Sequence, residues 1–164
     1  MRDGTKMAEA AWAPPVDLAD GARILLVDDD APFRRLAARA LSACGHVVME
    51  AESAEAALEI VRRSVVDLAV TDVALPGLDG PDWLREARRD RPDLPAVIVS
   101  GYQESVVAGR FARIPGSVFL EKPAPLERLT RAVRTELARA AAGRRLAHRL
   151  AQQGNGSPGS GVAS

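Results

Sequence analysis

The sequence predicts an α/β fold: a doubly wound, five-stranded parallel sheet of order 2-1-3-4-5. Three observations carry this. Short apolar runs alternate with amphipathic helical stretches along the middle of the chain. The runs are almost continuously apolar, as strands buried on both faces must be. The links between them are short, and right-handed crossovers leave few topologies for such a series.

The first strand is RILLV at 23–27. A helical stripe of Phe33, Leu36, Ala37, Ala40, Leu41 and Cys44 follows, opened by Asp30 and Pro32 and closed by Gly45. Its position on this stripe makes Cys44 a buried structural thiol by expectation. VVMEA at 47–51 is the second strand, and Ser53 caps a helix bearing Ala54, Ala57, Leu58 and Val61. DLAVT at 67–71 is the third strand, and LPGLDG at 75–80 is a loop. Trp83, Leu84 and Ala87 mark a third helix that ends before Pro92. AVIV at 96–99 is the fourth strand, a weaker helical stretch spans 103–112, and SVFL at 117–120 is the fifth strand. Pro125 opens a last helix carrying Leu126, Leu129, Val133 and Leu137.

Composition narrows the function classes. The 164 residues carry 22 basic and 22 acidic side chains, so generic attraction to nucleic acid or membrane is not expected. The length favours one domain with tails. The expected division is an N-terminal tail over 1–21, a domain over 22–141, and a basic, then Gly/Ser-rich tail over 142–164. One cysteine excludes an internal disulfide, no run approaches the roughly 20 apolar residues of a membrane span, and the charged N-terminus does not read as a secretory signal. A cytoplasmic location is expected. Arg144, Arg145, His148 and Arg149 form a basic helix end, read as a solvated cationic terminus, with a docking patch for an acidic partner as the minor alternative.

Four strand ends carry the chemistry. Asp28, Asp29 and Asp30 follow the first strand, Asp72 the third, Ser100 the fourth and Lys122 the fifth. In a parallel sheet all carboxyl ends open on one edge, where ligands bind at the switch point. Order 2-1-3 makes strands one and three neighbours, which brings Asp28 and Asp29 to Asp72. Clustered carboxylates with a hydroxyl and an ammonium suit a divalent cation and a phosphoryl group.

These segments, ILLVDDD at 24–30, TDVALPGLDG at 71–80, VIVSGY at 97–102 and FLEKP at 119–123, resemble the receiver domain of bacterial two-component response regulators. The resemblance implies the flavodoxin-like receiver fold over residues 22–141. It also implies that Asp72 is the phosphoacceptor, charged from a phosphohistidine of a sensor histidine kinase or a histidine phosphotransfer protein. Asp29 and Asp72 would ligate Mg²⁺ directly, Asp28 through water, and the backbone carbonyl of Ala74 would complete the set. Lys122 would offset charge on the transferring oxygens. Ser100 and Phe119 would form the switch that reshapes a protein-binding surface, and Pro123 would follow a cis bond. A homodimer is possible by the same analogy.

The chain departs from the family pattern at Ala74, Tyr102 and Ala124. Ala74 cannot orient water and Tyr102 is bulky, so slow loss of the phosphoryl group is expected. The chain after the last helix's first four turns, about two dozen residues, is too short for a DNA-binding domain with its own core. A stand-alone phosphoacceptor, not an enzyme, follows as the expectation. Its output would be protein contact, phosphorelay or a phosphate sink. Two other classes compete with it: a haloacid-dehalogenase-type phosphatase, from Asp28-x-Asp30, Ser100 and Lys122, and a phosphorylation-independent adaptor.

Overall fold

A computed structural model describes residues 21–101 and 114–154 of the chain. Five strands, β1 (Arg23–Val27), β2 (Val47–Ala51), β3 (Leu68–Asp72), β4 (Ala96–Ser100) and β5 (Ser117–Glu121), form one sheet. Its order is β2-β1-β3-β4-β5, and every pairing is parallel. Four helices are described: α1 (Ala31–Ala43), α2 (Ala54–Arg63), α3 (Gly80–Asp90) and α4 (Leu126–Gly154). The weak helix expected over 103–112, Tyr102 and the N-terminal tail lie outside the described residues.

Alternation along the strands sorts the core into two layers. Leu25, Val27, Ala69 and Ile98 pack against α2 and α3 through Leu58, Val61, Trp83 and Leu84. Ile24, Leu26, Val70 and Val97 pack against α1 and α4 through Ala37, Leu41, Leu129, Val133 and Leu137. The central strands β3 and β4 are buried along their whole length, as a sheet covered on both faces requires. β2 is an edge strand, and Val47 is 57% exposed there.

Helix starts follow local chemistry. The side chains of Asp30, Ser53 and Asp79 each accept a backbone N–H three residues on, which satisfies donors left free by the first turn. Proline stands in the first turn of α1 and α3.

Two sequence expectations fail on α1. Cys44 is exposed, and Leu36 is 55% exposed. The buried face is Ala37, Ala38 and Leu41, rotated from the stripe read from spacing. Cys44 is the C-cap rather than a helical residue, and its backbone N–H turns back to Leu41 and Ser42. The chain leaves the helical cylinder there, so periodicity no longer places its side chain. Helix α4 continues well past residue 141, to Gly154.

Candidate phosphoacceptor site

The carboxyl ends of β1, β3, β4 and β5 meet at one edge. Ladder bonds hold the residues there. Asp28 N–H donates to the Ala51 carbonyl (3.1 Å), Val73 N–H to Val99 (3.0 Å), and Lys122 N–H to Ser100 (2.6 Å). Backbone position at the site is therefore set by the sheet itself, not by loose loops.

Asp28, Asp29 and Asp72 bring one carboxylate oxygen each within 4.8 Å of one another. Asp28 is 1% and Asp72 9% exposed, while Asp29 is exposed. Lys122 reaches across from the β5 end. Its Nζ donates to Asp28 Oδ2 at 2.7 Å and to Asp72 Oδ2 at 3.0 Å. Backbone donors take the other oxygens: Asp30 N–H binds Asp28 Oδ1 (2.8 Å) and Ala74 N–H binds Asp72 Oδ1 (3.2 Å). Ser100 is fully buried at the end of β4, one residue beyond the partner of Asp72 in the register. Phe119 is half-buried against the α2–α3 layer. The Lys122–Pro123 peptide is cis.

Burial pushes the Asp28 carboxyl above its ordinary value. The Lys122 bond, the Asp30 N–H and the lysine charge oppose that, and the Asp72 charge adds to it. For Lys122, burial works against the charge, but its bonds to Asp28 and Asp72 outweigh it and its pKa is raised. The pocket therefore holds excess negative charge at its exposed side, by Asp29, that one ammonium does not neutralise. An all-oxygen donor set of this kind fits a hard divalent cation.

Four further contributions were not legible in the spacing. Phe33, in the first turn of α1, lies under the lysine with its ring centroid 4.3 Å from Nζ. Arg34 donates to the Asp28 carbonyl and pairs with Glu50 at 3.3 Å. Behind Asp72, Trp83 Nε1 donates to Thr71 Oγ1 (2.9 Å), which itself donates to the Asp72 carbonyl (3.0 Å). Gly80 sits so close that an added Cβ would lie 1.8 Å from that same carbonyl. Phe33 carried two sequence signals, its place on the α1 stripe and the Asp30 cap that binds its N–H, but neither brings its ring to Lys122.

Asp30 and Asp79 take capping roles, as expected. A dehalogenase-type arrangement would need Asp30 in the pocket, and its side chain is occupied at the start of α1.

A family profile described as the response regulator receiver domain matches residues 24–134. The chain is 40% identical over 123 residues to the sensor kinase CckA of Brucella abortus, covering 74% of this chain and 13% of that protein. Among solved structures it resembles the receiver domain of the hybrid histidine kinase CckA (37% identity, TM-score 0.61, covering 70% of this chain and 98% of that one). It also resembles a CheY-like receiver domain protein from Methanospirillum hungatei JF-1 (26% identity, TM-score 0.67, covering 75% and 98%). The chain spans less than two thirds of the length of the curated relatives it matches, as the 13% for the kinase illustrates.

Proposed function

From the premise that this chain belongs to the response regulator receiver domain family of two-component systems, we propose that Asp72 is its phosphoacceptor. The observation that carries the assignment is the Lys122 ammonium, shared between Asp28 and Asp72 at 2.7 and 3.0 Å inside a three-carboxylate cluster. No other group of three potential metal ligands of this kind occurs among the described residues.

Asp28, Asp29 and Asp72, with the Ala74 carbonyl, would hold Mg²⁺. When bound, the ion supplies positive charge against the transferring phosphoryl oxygens. An Asp72 carboxylate oxygen attacks phosphorus, the P–N bond of the donor phosphohistidine breaks, and the imidazole leaves with the electron pair. Lys122 is already within bonding distance of Asp72 and balances the charge that moves to this site. Ser100 and Phe119 are the switch residues: the added phosphoryl charge rebiases a two-state surface around β5 and α4. Ala74 offers the phosphoryl group only a methyl, so hydrolysis is slow. The partners are a sensor histidine kinase or a histidine phosphotransfer protein. Between direct output and relay, the likeness to the receiver of a hybrid kinase favours relay.

The test is intact mass after incubation with Mg²⁺ and a small-molecule phosphodonor. Wild type gains one phosphoryl group, and Asp72→Ala or added chelator abolishes the gain. Equal gain in the variant would put the nucleophile elsewhere.

A further inference from the structure

The charge balance of the whole chain conceals a local asymmetry. Helix α4 carries seven arginines against two carboxylates, Glu127 and Glu136, although the chain as a whole is neutral. Glu136 is buried and paired with Arg139 at 3.5 Å, which leaves six arginines against Glu127 alone. From residue 137 to residue 154 there is no acidic side chain at all. The second asymmetry is apolar. Leu146 and Leu150 are 54% and 59% exposed, among the few large hydrophobic residues exposed in the described chain.

These leucines are not a continuation of the face that packs on the sheet. At about 100° per residue, they lie roughly 120° around the helix from the Leu129, Val133 and Leu137 line. Among the described residues nothing covers them: the sheet contacts α4 on another side, and the residues from 145 to 153 are exposed throughout. Followed back along the helix, the leucine line meets Arg128 and Arg139, and Arg131 and Arg149 flank it. All four are exposed. One flank of α4 thus presents arginines along its shaft and two leucines near its C-terminal end.

We propose that this flank docks on an anionic phospholipid surface, with Leu146 and Leu150 entering the headgroup boundary and the arginines held at the phosphates. A basic amphipathic helix is the form such peripheral contacts take. Charge and size favour this occupant over others. A second copy would set one arginine row against another. A partner helix would find only one turn bearing leucines, far below the roughly 800 Å² per partner of a stable protein interface. A nucleic acid would take the arginines and leave the leucines wet. A lipid surface uses both, and its extent lets distant arginines contribute together. The expectation drawn from zero net charge, that membranes exert no pull, therefore holds for the average and not for this helix. The leucines and arginines are exposed without a phosphoryl group on Asp72.

The test is co-sedimentation of the full chain with vesicles of phosphatidylcholine containing 30% phosphatidylglycerol, and with phosphatidylcholine alone, at low salt. Binding is expected to the anionic vesicles only and to fall steeply with added salt. Leu146→Gln with Leu150→Gln should weaken it roughly ten-fold or more. Arg131→Gln with Arg149→Gln should weaken it about 25-fold, at about five-fold per arginine. Circular dichroism verifies that each variant keeps its fold. Absence of binding, equal binding to both vesicle types, or indifference to the leucine pair would overturn the proposal. A concentration-dependent dimer lost in the leucine variant would assign the face to a second copy instead.

Discussion

Gly80→Ala is the sharpest single perturbation of this site. Gly80 opens α3, and a Cβ there would lie 1.8 Å from the Asp72 carbonyl oxygen and 2.9 Å from both the Asp72 carbonyl carbon and Thr71 Oγ1. Non-bonded carbon and oxygen atoms do not approach this closely. The obstacle is backbone, so no rotamer change relieves it. Gly80 N–H also bonds the Val73 carbonyl at 3.0 Å, which ties α3 to the strand end from the other side. Either α3 or the end of β3 must move. Overpacking costs about 1–3 kcal/mol where side chains yield, and a backbone obstacle belongs at the upper end. With a urea slope of about 2 kcal/mol per molar, a loss of about 3 kcal/mol lowers the unfolding midpoint by about 1.5 M. The displaced carbonyl belongs to Asp72, the proposed phosphoacceptor, so the rate of phosphorylation by a small donor should fall as well. Gly143→Ala is the control: no atom lies within 4 Å of its added methyl, and helix propensity favours alanine by about 1 kcal/mol. A Gly80→Ala protein within about 0.5 kcal/mol of wild type, with wild-type phosphorylation, would refute the close-approach argument.

Other consequences follow from the same geometry. Phe33→Leu removes the ring beneath Lys122, worth about 0.5–2 kcal/mol as a cation–π contact. Phosphorylation should slow several-fold with Mg²⁺ affinity unchanged, and Phe33→Tyr should restore the rate; a Phe33→Leu protein as fast as wild type would exclude a positioning role. Asp28 has a raised folded pKa, so without metal its contribution to stability is fully present below 3.8 and is lost as pH rises through the folded value. The thermal midpoint of metal-free wild type should therefore drop over that window relative to Asp28→Ala, and Mg²⁺ at 100 times its Kd should add about 2.7 kcal/mol at neutral pH. His46 has the opposite sign: burial, then Arg134, lowers its pKa. Its contribution is present above 6.5 and lost as pH falls through the folded value, a slope that His46→Gln should flatten. Asp79→Ala removes the α3 cap and should cost about 1 kcal/mol by urea titration.

The sequence by itself determined the strand series, the sheet order and the strand ends that meet. Apolar runs and capping residues are local signals, and a parallel sheet admits few connections between them. Asp28, Asp72, Ser100 and Lys122 could be placed together because strand carboxyl ends share an edge whatever the side-chain details. Tertiary structure decided what spacing cannot encode. Cys44 turned outward because the chain leaves the helix at that residue. Phe33 came under Lys122, and Gly80 against the Asp72 carbonyl, through approaches between elements far apart in the chain. The exposed leucines of α4 show the same limit: spacing puts Leu146 and Leu150 off the Leu129–Leu137 line, but only the structure shows that the helix runs on to Gly154 and which of its sides the sheet covers.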